Sequence, residues 1–202
     1  NAGGPWAQEI LESSGLPAEK LLRPSKGIHI LLDADRLPIE GATFLKSRTG
    51  RRGLAMRRLD SVYVGTSDDE YDGPLDSPRA SREEVEDLLA MLQDCFPDAV
   101  LTLDDVRATW AGIRPLIAEE GKSTRDTSRE DEVWPGPTGL VSVAGGKLTT
   151  YRRMAGRVLE AVVRELGPPP RSEDRTADTL LPGAPEADDP HAWVAGRIET
   201  LH

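Results

Sequence analysis

The residues best placed to do chemistry gather around one turn. A short apolar stretch, Val141-Ser142-Val143-Ala144, runs into Gly145-Gly146, then Lys147, then Leu148-Thr149-Thr150-Tyr151. Glycines at a strand-to-helix turn let a ligand approach the backbone, because no Cβ stands in the way. A helix starting behind them leaves N–H groups unpaired and a partial positive charge at that end. The pattern suits an anionic or electron-rich group held against the main chain; a ligand-free strand, tight turn and helix is the alternative. Lys147 bears on the choice. A cation at a helix N-terminus is normally unfavourable and becomes tolerable beside an anion; an exposed lysine is the other reading. Upstream, His29 interrupts the apolar run Gly27-Ile28-His29-Ile30-Leu31-Leu32 and is the only histidine before position 191. A lone histidine there is more often a satisfied core residue, yet imidazole titrates in the range a general base needs.

The elements that must position these residues read as follows. Residues 5–11 form a helix ended near Gly15-Leu16-Pro17. Residues 27–32, 42–45 and 61–66 are strands, with a basic turn Arg48-Thr49-Gly50-Arg51-Arg52-Gly53 between the last two. Ser81-Arg82-Glu83-Glu84 is a capping box, followed by Val85, Leu88, Leu89, Leu92 and Phe96 at helical spacing and closed by Pro97. Residues 100–103 and 109–114 read as strands, and the polar stretch 121–139 as a loop or hairpin able to lie over a site. The clearest helix follows the double glycine. Leu148, Tyr151, Ala155, Val158, Leu159, Val162 and Leu166 make one apolar stripe, and Gly167-Pro168-Pro169-Pro170 stops it. Residues 168–190 are rich in Pro, Asp and Glu and read as a linker; residues 191–202 begin another helix.

Composition narrows the class. With 4% aromatic residues, 19 Gly and 16 Pro in 202 residues, the chain suits a loop-rich α/β protein better than a helical bundle. A net charge of −10 argues against nucleic acid or anionic lipid as a bulk partner. The single Cys95 excludes an internal disulfide, fits a reducing compartment, and falls in a helical pattern as a core residue. No apolar run approaches the roughly 18 residues of a membrane span, and no metal-ligand cluster is evident. The chain opens at Asn1 without Met and contains no Gly-x-Gly-x-x-Gly, so it reads as an internal piece of a longer protein, with any dinucleotide fingerprint upstream.

Several segments, in order, resemble the FAD-dependent, quinone-linked glycerol-3-phosphate dehydrogenases: Asn1-Ala2-Gly3-Gly4-Pro5-Trp6, Arg23-Pro24-Ser25-Lys26-Gly27-Ile28-His29, Val64-Gly65-Thr66-Ser67-Asp68, Asp72-Gly73-Pro74-Leu75-Asp76, Trp110-Ala111-Gly112-Ile113-Arg114-Pro115-Leu116, Ser128-Arg129, and Gly145-Gly146-Lys147-Leu148-Thr149-Thr150-Tyr151-Arg152. Each is weak alone; the ordered set is specific. The resemblance implies an α/β (α+β, mixed-sheet) fold. A partial FAD-binding, D-amino-acid-oxidase-like (DAO) domain would cover residues 1–167, with its substrate part at about 25–135 and its flavin-contacting parts at 1–15 and 139–167. A linker at 168–190 and the start of a helical C-terminal domain at 191–202 would follow.

The activity so implied is oxidation of sn-glycerol 3-phosphate to dihydroxyacetone phosphate by hydride transfer to FAD, with electrons passed to a quinone. Such a protein would be cytoplasmic, peripheral on the inner membrane face through regions outside this chain, and compatible with a homodimer. Matching positions give Arg114 and Arg129 as the phosphate clamp, since guanidinium groups bind phosphate oxygens in pairs; a salt-bridged surface arginine is the alternative for Arg114. His29 would be base or hydrogen-bonding partner to the substrate, and Lys147 would contact substrate or flavin. Asn1, Gly3, Gly4, Pro5, Trp6, Gly145, Gly146, Leu148, Thr149 and Thr150 would contact the cofactor. One departure stands out: Gly53-Leu54-Ala55-Met56-Arg57-Arg58-Leu59-Asp60-Ser61 is shorter and more basic than the family's strand there, which predicts a disturbed sheet edge. A glycerol-3-phosphate oxidase, an amine- or amino-acid-oxidising flavoenzyme and a non-catalytic remnant are the competing readings. Two arginines for one phosphate argue against the amine oxidiser, and the absence of half the cofactor site implies that the isolated chain binds FAD weakly.

Overall fold

The computed structural model describes residues 1–15, 22–118, 130–136, 139–168, 175–182, 184 and 189–199. A 3-10 turn, Gly4–Trp6, leads into helix α1 (Ala7–Ser13). Five strands follow: β1 (Leu22–Asp33), β2 (Ala42–Lys46), β3 (Arg52–Arg58), β4 (Ser61–Gly65) and β5 (Asp69–Glu70). Then come α2 (Arg82–Cys95), β6 (Ala108–Ile117), β7 (Asp131–Pro135), β8 (Val141–Gly145), α3 (Tyr151–Leu166) and α4 (Pro190–Glu199). The chain divides into two compact units, Asn1–Glu165 and Leu166–His202. In the second, α4 sets the Arg197 guanidinium 5.2 Å from the Trp193 ring centre.

In the first unit, β1 is the spine of an antiparallel sheet. β6 pairs along one of its edges through ten residues, Leu22 to Leu31. The other edge takes β4 opposite residues 29–33 and β5 opposite residues 25–26, and β3 and β2 extend the sheet beyond β4. Pro24 and Pro115 face each other in the β1–β6 register. The Pro24 carbonyl accepts from Tyr71 N–H on the opposite edge, so its backbone points away from β6 and no ladder donor is lost there.

Side chains alternate across a strand. Ile28, Ile30 and Leu32 of β1 are fully buried, with Val62 and Val64 of β4 and Ala55 of β3, beneath Val85, Leu88, Leu89, Met91 and Leu92 of α2. Each such aliphatic side chain stabilises the fold by about 1.5–3 kcal/mol. Helix α2 starts as its sequence implies: Ser81 Oγ accepts from Glu84 N–H at 3.2 Å, and Glu84 Oε2 accepts from Ser81 N–H at 2.7 Å. The opposite face of β1, bearing Ser25, Gly27, His29 and Leu31, is not covered by α2. A second, small core of Ala7, Leu22, Ile117 and Ala144 joins α1 to the far ends of β1 and β6 and to β8, which brings the glycine turn to the sheet.

Two expectations change, and α3 shows a further feature. Residues 53–58 are no frayed edge: β3 lies between β2 and β4, paired on both sides. Residues 100–103 are not a strand, because the Asp105 carboxylate takes the N–H and hydroxyl of Thr102 at 2.7 and 3.0 Å and starts a 3-10 turn, Leu103–Asp105. In α3, only Ala161 is buried. Leu148, Tyr151, Leu159 and Leu166 are exposed. Of the stretch 121–139, residues 121–129 and 137–138 lie outside the described residues, and its described part contributes β7, which forms a hairpin with β8. Cys95 is half-buried against the main core.

Candidate active site

The open face of the spine is set by parity. Across the β1–β6 ladder, Ser25 faces Arg114, Gly27 faces Gly112 and His29 faces Trp110. All six therefore project to the side that α2 leaves uncovered. From β6, the Arg114 side chain reaches across β1 to the chain that links β4 to β5. Its Nη2 donates to Thr66 Oγ1 at 2.7 Å, and its Nη1 donates to the Ser67 carbonyl at 3.1 Å and to Asp68 Oδ1 at 3.3 Å. The path runs directly over Gly27. A Cβ there would lie 2.4 and 2.5 Å from the two guanidinium nitrogens and 2.6 Å from Thr66 Oγ1. Glycine at 27 is thus a requirement of close approach.

The linking residues have replaced a stretch of sheet. Between Gly65 and Asp69 no strand pairs with β1, and the Ser67 hydroxyl stands in. It accepts from Ile28 N–H at 3.0 Å and donates to the Lys26 carbonyl at 3.4 Å. Buried Ser25 donates its hydroxyl to Asp68 Oδ1.

His29 lies two residues along the same face. Its ring stacks on Trp110, with centres 5.0 Å apart and planes 6° from parallel. Tyr63 meets the same indole edge-on at 5.6 Å. On the β4 side the imidazole fills the space over Gly65, where a Cβ would lie 2.3 Å from Cδ2. Partial burial, aided by the Arg114 charge, lowers the His29 pKa below its ordinary 6.5. The imidazole is therefore neutral near pH 7 and able to accept a proton.

The glycine turn has the shape its sequence implies. Gly145 and Gly146 adopt φ of 74° and 79°, the left-handed region that β-carbons disfavour. Gly146 N–H donates to the Glu130 carbonyl at 3.2 Å. A single 3-10 turn, Leu148–Thr150, separates them from α3, and Thr150 Oγ1 donates to the Lys147 carbonyl at 3.0 Å. Residues 145–148 and residues 113–116 line one cavity of about 340 Å³, so Arg114 and Lys147 share it. Lys147, Leu148, Thr149 and Thr150 are exposed.

The N-terminal segment runs beside the strand that feeds this turn. Val143 N–H donates to the Asn1 carbonyl at 2.9 Å, and the Asn1 amide donates to the Ala7 carbonyl at 3.0 Å and to Ser142 Oγ at 3.2 Å. Asn1 Oδ1 accepts from Gly3 N–H at 3.2 Å. Gly4 has φ of 57°, Pro5 sits in the 3-10 turn, and Trp6 is 37% exposed. The structure thus brings Arg114, Lys147 and the double glycine together, sets His29 on the adjoining sheet face, and ties residues 1–7 to β8. Arg129 lies outside the described residues. Sequence reasoning missed the roles of Gly27, Gly65, Thr66, Asp68, Tyr63 and Trp110. The signal was there in the common parity of Ser25-x-Gly27-x-His29 and Trp110-x-Gly112-x-Arg114 on adjacent strands.

Among the described residues, no cluster of three or more His, Cys, Asp or Glu could hold a metal ion, and no helix is long and apolar enough to cross a membrane. The sequence model of the FAD dependent oxidoreductase (DAO) family matches residues 1–161. The chain belongs to this family. It is 40% identical over 167 residues to the aerobic glycerol-3-phosphate dehydrogenases of Staphylococcus saprophyticus and Staphylococcus aureus, covering 82% of this chain and 30% of each relative. The chain thus spans less than a third of the length of these curated relatives. Among solved structures, the glycerol-3-phosphate dehydrogenase from Bacillus halodurans complexed with FAD is similar at 39% identity and a TM-score of 0.72, over 82% of this chain and 32% of that one. An iminodiacetate oxidase from Chelativorans, at 19% identity and a TM-score of 0.53, shares the fold.

Proposed function

We propose that this chain is the substrate-facing part of an FAD-dependent enzyme that oxidises sn-glycerol 3-phosphate to dihydroxyacetone phosphate. The observation that carries this reading is the shared cavity: Arg114, whose guanidinium has at least three acceptors, lines the same space as a double-glycine turn shortly before a helix. The similarity to glycerol-3-phosphate dehydrogenases supports it.

FAD would be held by the exposed residues Lys147, Leu148, Thr149 and Thr150 of the turn that leads into α3. When bound, FAD accepts the hydride lost from C2 of the substrate. The chain's own residues do the rest. Arg114 offers paired N–H donors and a permanent positive charge to the phosphate dianion, with Arg129 as its proposed companion. Neutral His29 takes the proton of the C2 hydroxyl. Lys147 offsets negative charge that develops beside the turn. The segment holding Asn1, Gly3, Gly4, Pro5 and Trp6, with Leu148, Thr149 and Thr150, forms the proposed wall toward the cofactor. Residues 1–167 are the proposed catalytic portion, 168–190 a linker and 191–202 the start of a further domain; a quinone is the proposed electron acceptor.

The test is anaerobic titration of the complete gene product, FAD bound, with sn-glycerol 3-phosphate. The flavin absorbance bleaches in the parent and does not in Arg114→Ala at the same substrate concentration. Bound flavin that sn-glycerol 3-phosphate leaves oxidised in the parent overturns the proposal. Reoxidation of the reduced enzyme by a soluble quinone analogue, faster than by oxygen, assigns the acceptor.

A further inference from the structure

We infer that Asp68, braced by Ser25, is a positioning residue that fixes the Arg114 guanidinium for the substrate's phosphate. This rests on the reading that Arg114 binds that phosphate.

An arginine side chain crossing a sheet has four rotatable bonds, and freezing them opposes binding unless the protein has already done so. Here the three residues linking β4 to β5 divide the work. Thr66 gives Nη2 a hydroxyl acceptor, and Ser67 keeps the segment on β1 through its own side chain while its carbonyl receives Nη1. Asp68 supplies a carboxylate to the guanidinium, 3.3 Å from Nη1 and only 17% exposed. That carboxylate is itself held, because the Ser25 hydroxyl is buried on the spine strand and donates to Oδ1. Ser25 stands directly opposite Arg114 in the β1–β6 register, so one rung of the ladder carries both the arginine and the brace for its counter-charge.

A neutral acceptor could also orient a guanidinium. The carboxylate adds attraction that holds the cation in place before any anion arrives. Ser25 and Asp68 do not themselves touch the phosphate in this reading; they act through Arg114. Their loss therefore shows in the affinity for phosphate groups more than in the limiting rate of flavin reduction.

The experiment uses the FAD-loaded complete gene product with Asp68→Asn, Asp68→Glu, Ser25→Ala and Arg114→Ala. Two quantities are measured: the sn-glycerol 3-phosphate concentration that half-saturates the rate of anaerobic flavin reduction, and the inhibition constant of inorganic phosphate. Asp68→Asn is expected to raise both by about tenfold, the scale of one lost hydrogen bond to a charged group, and to lower the limiting rate by much less. Ser25→Ala shifts both in the same direction by a smaller factor. Asp68→Glu, which keeps the charge, recovers at least half of the loss on a logarithmic scale. If Asp68→Asn leaves phosphate inhibition unchanged while Arg114→Ala weakens it, the positioning role is overturned and the arginine clamp stands. If Arg114→Ala also leaves it unchanged, the clamp itself is wrong. Should Asp68→Asn fail to fold with FAD, Ser25→Ala decides: an unchanged phosphate inhibition constant overturns the inference.

Discussion

Gly27→Ala should displace the Arg114 guanidinium, the proposed phosphate clamp, without removing a single polar atom. The added Cβ would lie 2.4 and 2.5 Å from the Arg114 nitrogens, where ordinary contact begins at 3.4 Å, so the guanidinium must retreat by about 1 Å. Its bonds of 2.7, 3.1 and 3.3 Å have no such slack. Arg114 is 27% exposed, so water can replace part of what is lost. Overpacking of this kind costs about 1–3 kcal/mol. Alanine in place of glycine returns roughly 0.5–1 kcal/mol through reduced chain entropy. A double-mutant cycle with Arg114→Ala isolates the guanidinium part of the clash, the Thr66 Oγ1 contact at 2.6 Å remaining. Urea unfolding of the four proteins is expected to give a coupling of about 1–2 kcal/mol, with Gly27→Ala less costly in the Arg114→Ala background. Gly112→Ala is the control. It faces Gly27 across the ladder, yet a Cβ there meets nothing within 4 Å. With no clash to oppose the gain in chain entropy, it is expected to be neutral to stabilising by up to about 1 kcal/mol. Equal destabilisation by Gly27→Ala with and without the arginine would refute the packing argument.

Other outcomes follow from the same geometry. Removing the Arg114 charge takes away one of the two causes that lower the His29 pKa, so in Arg114→Gln the His29 titration, followed by its imidazole proton resonances, moves up toward 6.5. A group with a lowered folded pKa binds fewer protons when folded; it costs nothing above pH 6.5, and stability is lost as pH falls through 6.5 toward the folded value. His29→Gln should flatten that part of the stability profile, measured by urea midpoints between pH 7 and pH 5. Ser81→Ala removes the first cap of α2 and should cost about 1 kcal/mol in thermal or urea unfolding while leaving phosphate affinity unchanged. Gly146→Ala forces a β-carbon into φ of 79° and to within 2.4 Å of Met154 Sδ. Strain of about 1–2 kcal/mol or more in the turn itself should lower the flavin content of the purified gene product.

Elements with a chemical signal at each end were legible in the sequence. The α2 boundaries follow from Ser81, Glu84 and Pro97, and the turn at residues 145–146 follows from two glycines that only a left-handed backbone requires. The apolar run marks β1 only over residues 27–32; the strand extends to Leu22 because Pro24 faces another proline across a ladder position that needs no donor from either. β3 was unreadable for a different reason. Arg52, Arg57 and Arg58 are polar at positions where an inner strand usually alternates, and one face of that strand is exposed rather than buried.

The candidate site was half legible, and the division has a physical cause. A residue proposed to act through its own group, such as Arg114, His29 or Lys147, announces itself by type. A residue that acts by absence, such as Gly27, or by holding another, such as Asp68, has meaning only once the register is known. The stripe of α3 makes the same point in reverse. Its spacing is that of a buried helix face, yet Leu148 is 88% and Leu166 82% exposed. Periodicity records which face of a helix is apolar; it does not record whether the cover belongs to the same stretch of chain. This chain spans only 30% of its relatives' length, so an apolar face without a cover is what a correct helix with a partner elsewhere would show. The cavity lined by Arg114 and the glycine turn, and the acceptors of the Arg114 guanidinium, all belong to elements of the first unit.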